Sequence, residues 1–222
     1  MAFARNHAGR ACEIPATIAI DSGDYDRQRG YDVAAGYARA GGLLTSAASG
    51  VVVKLVEPDD GAPISGVDVP KDLYWVLWSP TPLAGMKYPR TGFPWPNLKT
   101  AGFSQVVSLH PGSYDPAPLT IGFAEHLQDL VSGGPPANEA DEKAKIKRAV
   151  TATVATWRSG QGVVVHCVGG RGRSGTVLGC VLRELGFAPA EAINFLDRVH
   201  KVRGKPGWPE SPWQSSLVER WV

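Results

Sequence analysis

The sequence predicts an α/β domain in which a central, mainly parallel sheet of about four or five strands is flanked by helices. Three observations predict it. Val163, Val164 and Val165, preceded by Gly160-Gln161-Gly162, form a run short enough for a strand and apolar enough for one covered on both faces. Thr176–Leu185 follows as a mostly apolar helix, stopped at Gly186. From about residue 72, strand-like and helix-like segments alternate until only helices remain, the order that builds an α/β sandwich.

With 222 residues, 43% of them hydrophobic, the chain can bury one good-sized core. The economical division is one catalytic domain over residues 72–222, preceded by an N-terminal extension over 1–71 to which the sequence assigns no role. The 23 basic and 21 acidic residues leave a net charge of +2, so nothing general favours nucleic acid or a membrane surface. Any attraction to anions has to be local. Three cysteines, an odd number, make no disulfide framework, and a reducing cytoplasm is the expected compartment. The N-terminus lacks an uninterrupted apolar core and no stretch approaches about 18 apolar residues, so neither a signal peptide nor a membrane span is expected.

In chain order, residues 1–70 carry the weakest patterns. Val51–Val56 is a strand ended by the turn-forming Glu57–Gly61, and Tyr31–Arg39 is ambiguous, compatible with a helical turn or two. Leu73–Trp78 is a strand by β-propensity, and Leu83–Pro89 is a turn-rich crossing. A short helix at Asn97–Thr100, a strand at Phe103–Leu109 and a loop at His110–Pro116 follow. From Asn138 the pattern is helical: Ile146, Val150, Val154 and Trp157 form one stripe, Asn138 or Asp141 caps the start, and the charged run Asp141–Arg148 is a solvated face. Pro189–His200 is a further helix with Ala192, Phe195, Leu196 and Val199 inward. Ser211-Pro212-Trp213-Gln214 has the capping-box pattern, opening a last helix that buries Trp213, Leu217 and Trp221.

Chemistry concentrates between the Val163–Val165 strand and the helix after it. Glycines at 169, 170 and 172 let the backbone take positive φ and turn its N–H groups inward, making a concavity the size of a phosphate. The helix start adds partial positive charge, and Arg173 offers a planar, bidentate fork to phosphate oxygens. Both effects favour a thiolate at Cys167. His166-Cys167, five residues, then Arg173-Ser174-Gly175 resembles the phosphate-binding loop of the cysteine-dependent protein tyrosine phosphatase superfamily. The small size and the glycine pattern resemble its dual-specificity branch, in particular the kinase-associated type, over roughly residues 72–222. Cys12 and Cys180 lack ligand spacing to Cys167, so no metal and no cofactor is expected.

The resemblance implies roles. Phosphomonoesters are hydrolysed through a phosphocysteine intermediate: Cys167 is the nucleophile, and Arg173 with the Val168, Gly169, Gly170, Arg171 and Gly172 backbone binds phosphate. His166 holds the loop, and Ser174 eases departure of the sulfur, helix capping being its alternative. The general acid is expected on a mobile loop upstream. Asp129, on the glycine- and proline-containing loop before the long helix, occupies that place. Asp115 is the rival, Glu125 and Asp141 are weaker candidates, and the Trp-Pro-Asp form of many tyrosine phosphatases is absent. Gln214 either orients the hydrolytic water or completes the capping box. His110, His126 and His200 have no partner at informative spacing and are read as surface or structural residues. The expected substrate is a phosphoprotein or phosphopeptide. Alternatives are a polyanionic small molecule such as an inositol phosphate or phosphoinositide, drawn by Arg171 at the loop rim, an RNA 5′-phosphate, or a phosphate-binding module without turnover. The His-Gly-x-Asn-Arg form of the RNA-directed branch is missing.

Overall fold

The computed structural model describes residues 37–40, 43–46, 52–58 and 60–221. Strands β1 (Tyr37–Ala40), β2 (Leu43–Ser46) and β3 (Val52–Val53) form a small antiparallel sheet. The main sheet has five strands in the order β4 (Leu73–Leu77), β5 (Leu83–Met86), β8 (Gly162–His166), β6 (Phe103–Ser108) and β7 (Thr120–Ala124). β4 runs antiparallel to β5, and every other neighbouring pair is parallel. The helices are α1 (Trp95–Thr100), α2 (Glu139–Arg158), α3 (Gly172–Glu184), α4 (Pro189–Val202) and α5 (Pro212–Glu219). The ambiguous Tyr31–Arg39 segment and Cys12 lie largely outside the described residues, and the part of that segment that is described runs into β1.

β8 is the centre of the sheet, and its period of two divides the core. Val163 and Val165 face a layer with Ile146, Val150 and Trp157 of α2, Val177 and Val181 of α3 and Phe195 of α4. Val164 faces the opposite layer with Trp75, Met86, Trp95, Leu98 and Phe103. Both faces are therefore apolar, as the unbroken valine run requires. Each fully buried side chain of this size contributes roughly 1.5–3 kcal/mol.

α2 buries the expected stripe, and the Asn138 side chain accepts from the Asp141 N–H, so Asn138 is its cap. Lys143–Glu139 and Lys145–Asp141 pairs lie on its solvated face. α5 starts with the expected capping box between Ser211 and Gln214 and buries Leu217, whereas Trp213 and Trp221 are only partly buried. The expected strand at Val51–Val56 is confined to Val52–Val53, and in the main sheet two strands differ from expectation. Leu83–Met86 is a buried strand, not a turn-rich crossing: Gly85 tolerates no side chain, because a Cβ there would lie 2.2 Å from the Tyr74 ring. β7 is an edge strand with one buried residue, Phe123, too weak a pattern to show in the sequence.

Candidate active site

β8 delivers His166 and Cys167 to the carboxyl edge of the sheet, the loop turns through 168–171, and α3 begins at Gly172 with Arg171 as its N-cap. Of the three loop glycines only Gly170 takes a positive φ, 62°. Its Cβ position is also occupied, 2.5 Å from the Met86 and Lys87 backbone. At Gly172 a Cβ would lie 1.6 Å from a Glu210 carboxylate oxygen, so a side chain there would make Glu210 swing aside.

The loop carbonyls are fastened from outside. The Tyr88 N–H donates to Val168 O at 2.9 Å, an Arg203 nitrogen to Gly170 O at 2.7 Å and the Gly175 N–H to Arg171 O at 2.6 Å. Gly172 O accepts from Thr176 Oγ1 at 2.8 Å and Trp208 Nε1 at 3.3 Å, and Cys167 O from His166 Nδ1 at 3.3 Å. A trans peptide plane holds its C=O and N–H in opposite directions, so each carbonyl pulled outward aims the next N–H inward. Among the described residues none of the N–H groups of Val168 through Arg173 donates to a protein acceptor. Six adjacent donors without partners make an anion cradle.

Cys167 is 2% exposed at the base of that cradle. Arg173 is buried, yet its partners are distant: Leu127 O at 3.3 Å, Asp129 Oδ2 at 3.3 Å and His110 Nδ1 at 3.5 Å. Charge-assisted bonds usually close to about 2.7–2.9 Å, so this guanidinium is poised and weakly committed. Ser174 sits in the first turn of α3 and is not its cap; among the described residues its buried Oγ has no hydrogen-bond partner. Asp129 is half exposed and also accepts from the Val131 N–H. Asp115 instead accepts from the Ala117 N–H in a local turn. Glu125 is paired with Arg148 and Asp141 with Lys145, so both weaker candidates are engaged elsewhere.

The Arg171 guanidinium turns away from the cradle. Its Nε donates to Gly207 O, and it pairs with Glu210 at 3.3 Å. Burial raises the Glu210 pKa, Arg171 opposes the rise and Asp129 adds to it. Gln214 Oε1 accepts from the Glu210 and Ser211 N–H groups, which uses it in the cap.

Sequence reading missed an aromatic and imidazole wall around His166. Tyr114 hydroxyl donates to His166 Nε2 while Nδ1 donates to the Cys167 carbonyl, which fixes the neutral tautomer. Burial pushes the His166 pKa down to about 4, against the backbone hydrogen bond and with a smaller push from His110. Tyr88 meets His110, Tyr114 and His166 edge-on, and His126 leans on His110 at 4.8 Å. Burial and then Arg173 lower the His110 pKa. The neighbours of these residues come from distant parts of the chain, so no local spacing reveals them. Cys180 is buried in α3 with its pKa raised by burial, an inert thiol. Among the described residues no helix is long and apolar enough to cross a membrane.

Solved structures that resemble this chain include kinase-associated phosphatase with its catalytic cysteine replaced by serine, at 17% identity over 62% of this chain and 84% of that one, with a TM-score of 0.47. PTPMT1 in complex with PI(5)P matches at 18% identity over 63% and 88%, with a TM-score of 0.48. TpbA from P. aeruginosa matches at 18% identity over 74% and 92%, with a TM-score of 0.47. Residues 70–204 match the family described as Swiss Army Knife protein, DSP-PTPase phosphatase domain, and the chain belongs to that family of dual-specificity-type phosphatase domains.

Proposed function

We propose that the protein hydrolyses phosphomonoesters through a phosphocysteine intermediate, with tyrosine- or dual-specificity phosphoproteins as substrates and the catalytic unit beginning near residue 72. The observation that carries it is the cradle: donors at 168–173 without partners among the described residues, above a buried cysteine and beside a loosely held Arg173. Cys167 Sγ attacks phosphorus and the bond to the leaving oxygen breaks. Asp129 gives that oxygen its proton. Arg173 and the loop amides take the charge on the equatorial oxygens, where preorganised donors act most strongly. Water then attacks phosphorus, its proton passes to Asp129, the S–P bond breaks with help from the Ser174 hydroxyl, and inorganic phosphate leaves. Asp129 is favoured over Asp115 because it touches Arg173, whereas Asp115 is used in a turn. No step calls for a metal, and a reduced cysteine suits a reducing cytoplasm.

The alternative with polyanionic small molecules needs Arg171 as a rim charge. Its pairing with Glu210 favours the phosphoprotein reading. The test is hydrolysis of para-nitrophenyl phosphate with and without EDTA, followed by a phosphopeptide and phosphoinositide panel. Chelator-resistant turnover with phosphopeptides preferred is expected. Turnover that EDTA abolishes, or no hydrolysis of any phosphomonoester, overturns the mechanism, and a preference for phosphoinositides overturns the substrate class.

A further inference from the structure

Behind the loop lies a second buried guanidinium that the sequence does not flag. Arg203, at the C-terminal end of α4, is 5% exposed, and among the described residues no carboxylate bonds to it. Asp72, the carboxylate whose charge reaches it, is paired to Lys87 at 2.6 Å. Arg203 donates instead to three carbonyls: Nε to Pro70 O at 2.9 Å, one terminal nitrogen to Lys71 O at 3.0 Å and the other to Gly170 O at 2.7 Å. The last also donates to His200 Nδ1 at 2.8 Å, and the guanidinium lies 4.5 Å from the Tyr74 ring centroid.

A buried cation without a counter-ion is costly to keep, so its geometry needs a reason. Gly170 supplies one. It is the loop residue with positive φ, pressed against the end of β5, and its carbonyl points back into the protein. In the peptide joining 170 to 171 the C=O and N–H are opposed. Whatever holds Gly170 O backward therefore aims the Arg171 N–H into the cradle. Arg203 holds it, and braces it against the Pro70–Lys71 segment that leads into β4. Its charge also stands behind the donors, adding positive potential where a phosphate would sit.

We propose that Arg203 is a positioning residue for phosphate binding and transfer, acting through the Gly170 carbonyl. The inference rests on the phosphatase reading above. Its test compares wild type with Arg203→Met and Arg203→Lys in orthovanadate affinity and in kcat and KM for para-nitrophenyl phosphate. Leu98→Ala, a core change in α1, serves as a control for stability loss. Arg203→Met should raise the vanadate Kd about tenfold and lower kcat by about 10²-fold in folded protein, the scale of losing one preorganised donor. Arg203→Lys keeps the charge but cannot span three carbonyls, so it should recover part of the affinity and less of kcat. Leu98→Ala should lower the melting temperature and leave Kd and kcat near wild type. If Arg203→Met does not fold, Arg203→Lys decides: wild-type Kd and kcat in that variant overturn the proposal. Wild-type protein that binds no vanadate and turns nothing over removes the phosphatase reading and this inference together. Active wild type with unchanged Arg203 variants removes this inference alone.

Discussion

Arg173 and Arg203 meet the same loop from opposite sides, and they are held in opposite ways. Behind the loop, Arg203 makes four contacts of 2.7–3.0 Å, all to backbone carbonyls or a neutral imidazole. In front, Arg173 has three partners at 3.3–3.5 Å, one of them a half-exposed carboxylate. The rear contacts satisfy carbonyls that the turn would otherwise bury unpaired. The front contacts leave a guanidinium, six amides and the Ser174 hydroxyl uncommitted. The difference teaches where to look for chemistry in such a loop: the groups the fold leaves unsatisfied are the ones a substrate can satisfy.

The front of the loop breaks first if Cys167 is changed. Cys167→Ser should lower turnover by about 10³-fold or more while vanadate or phosphate still binds, since nucleophile loss removes the covalent step and leaves the cradle. Steady-state kinetics and equilibrium binding on the same preparation check this. Near-normal turnover in that variant would remove the cysteine mechanism.

Asp129→Asn touches the front more lightly, by removing the proposed acid and one of the loose partners of Arg173. A loss of about 10²-fold in kcat is expected for alkyl or phenyl phosphates, and less for a substrate with a good leaving group. Asp115→Asn should show no such dependence on the leaving group. The ratio between the two substrate types, measured in both variants, assigns the acid; dependence confined to Asp115→Asn gives the role to Asp115.

The asymmetry between front and back also explains what the sequence could show. The strand, glycine turn and helix around Cys167 are legible because their signals are local: β-branched residues, glycines, then apolar periodicity. The long stripe of α2 and the cap of α5 are legible for the same reason. β5 was hidden because its Ala84-Gly85 pair has low β-propensity, and its burial against Tyr74 and β8 is a tertiary fact. Positive φ expected at Gly169 and Gly172 occurs only at Gly170; Gly172 instead lies against the Glu210 carboxylate. Arg203 looks in sequence like a basic residue at a helix C-terminus, where the macrodipole alone would explain it. Its role depends on Pro70, Lys71 and Gly170, which sequence distance separates from it.

Acid should weaken the fold on both sides of the loop, through His166 beside the His110 wall and through His200 next to Arg203. The folded protein holds His166 near pKa 4 because burial disfavours its charged form, against an ordinary value of 6.5. A depressed histidine stabilises the fold fully above about pH 6.5, and that contribution is lost as pH falls from there toward 4. The loss should reach on the order of 3 kcal/mol by pH 4. His200, held down to about 2 by burial and then by Arg203, adds a loss of its own that starts at the same pH and continues below pH 4. Urea unfolding from pH 7 to 4 measures it, and His166→Gln should make the slope shallower, leaving the share of His200. An unchanged slope in that variant would place the acid sensitivity elsewhere.

Arg171 is the third arginine around the loop, and it tests whether tight pairing always means structure. As a rim charge it would favour multiply phosphorylated substrates. Its guanidinium is instead spent on Glu210 and Gly207 O, with both ionic side chains largely buried. Removing it leaves the Glu210 carboxyl uncompensated beside Gly172 at the start of α3, within electrostatic reach of Arg173. Arg171→Ala should therefore raise KM for every phosphorylated substrate, para-nitrophenyl phosphate included, by about three- to tenfold with little change in kcat, as an unpaired like charge nearby would. Because Arg171 opposes the upward pull of burial on Glu210, its loss lets that carboxyl take a proton more readily. The KM defect should shrink as pH falls and grow as it rises. Glu210→Gln in the Arg171→Ala background should restore KM, and Glu210→Gln alone should lower it by freeing the guanidinium. A KM increase confined to multiply phosphorylated substrates, insensitive to Glu210→Gln, would return Arg171 to the rim and bring the polyanionic substrates back with it.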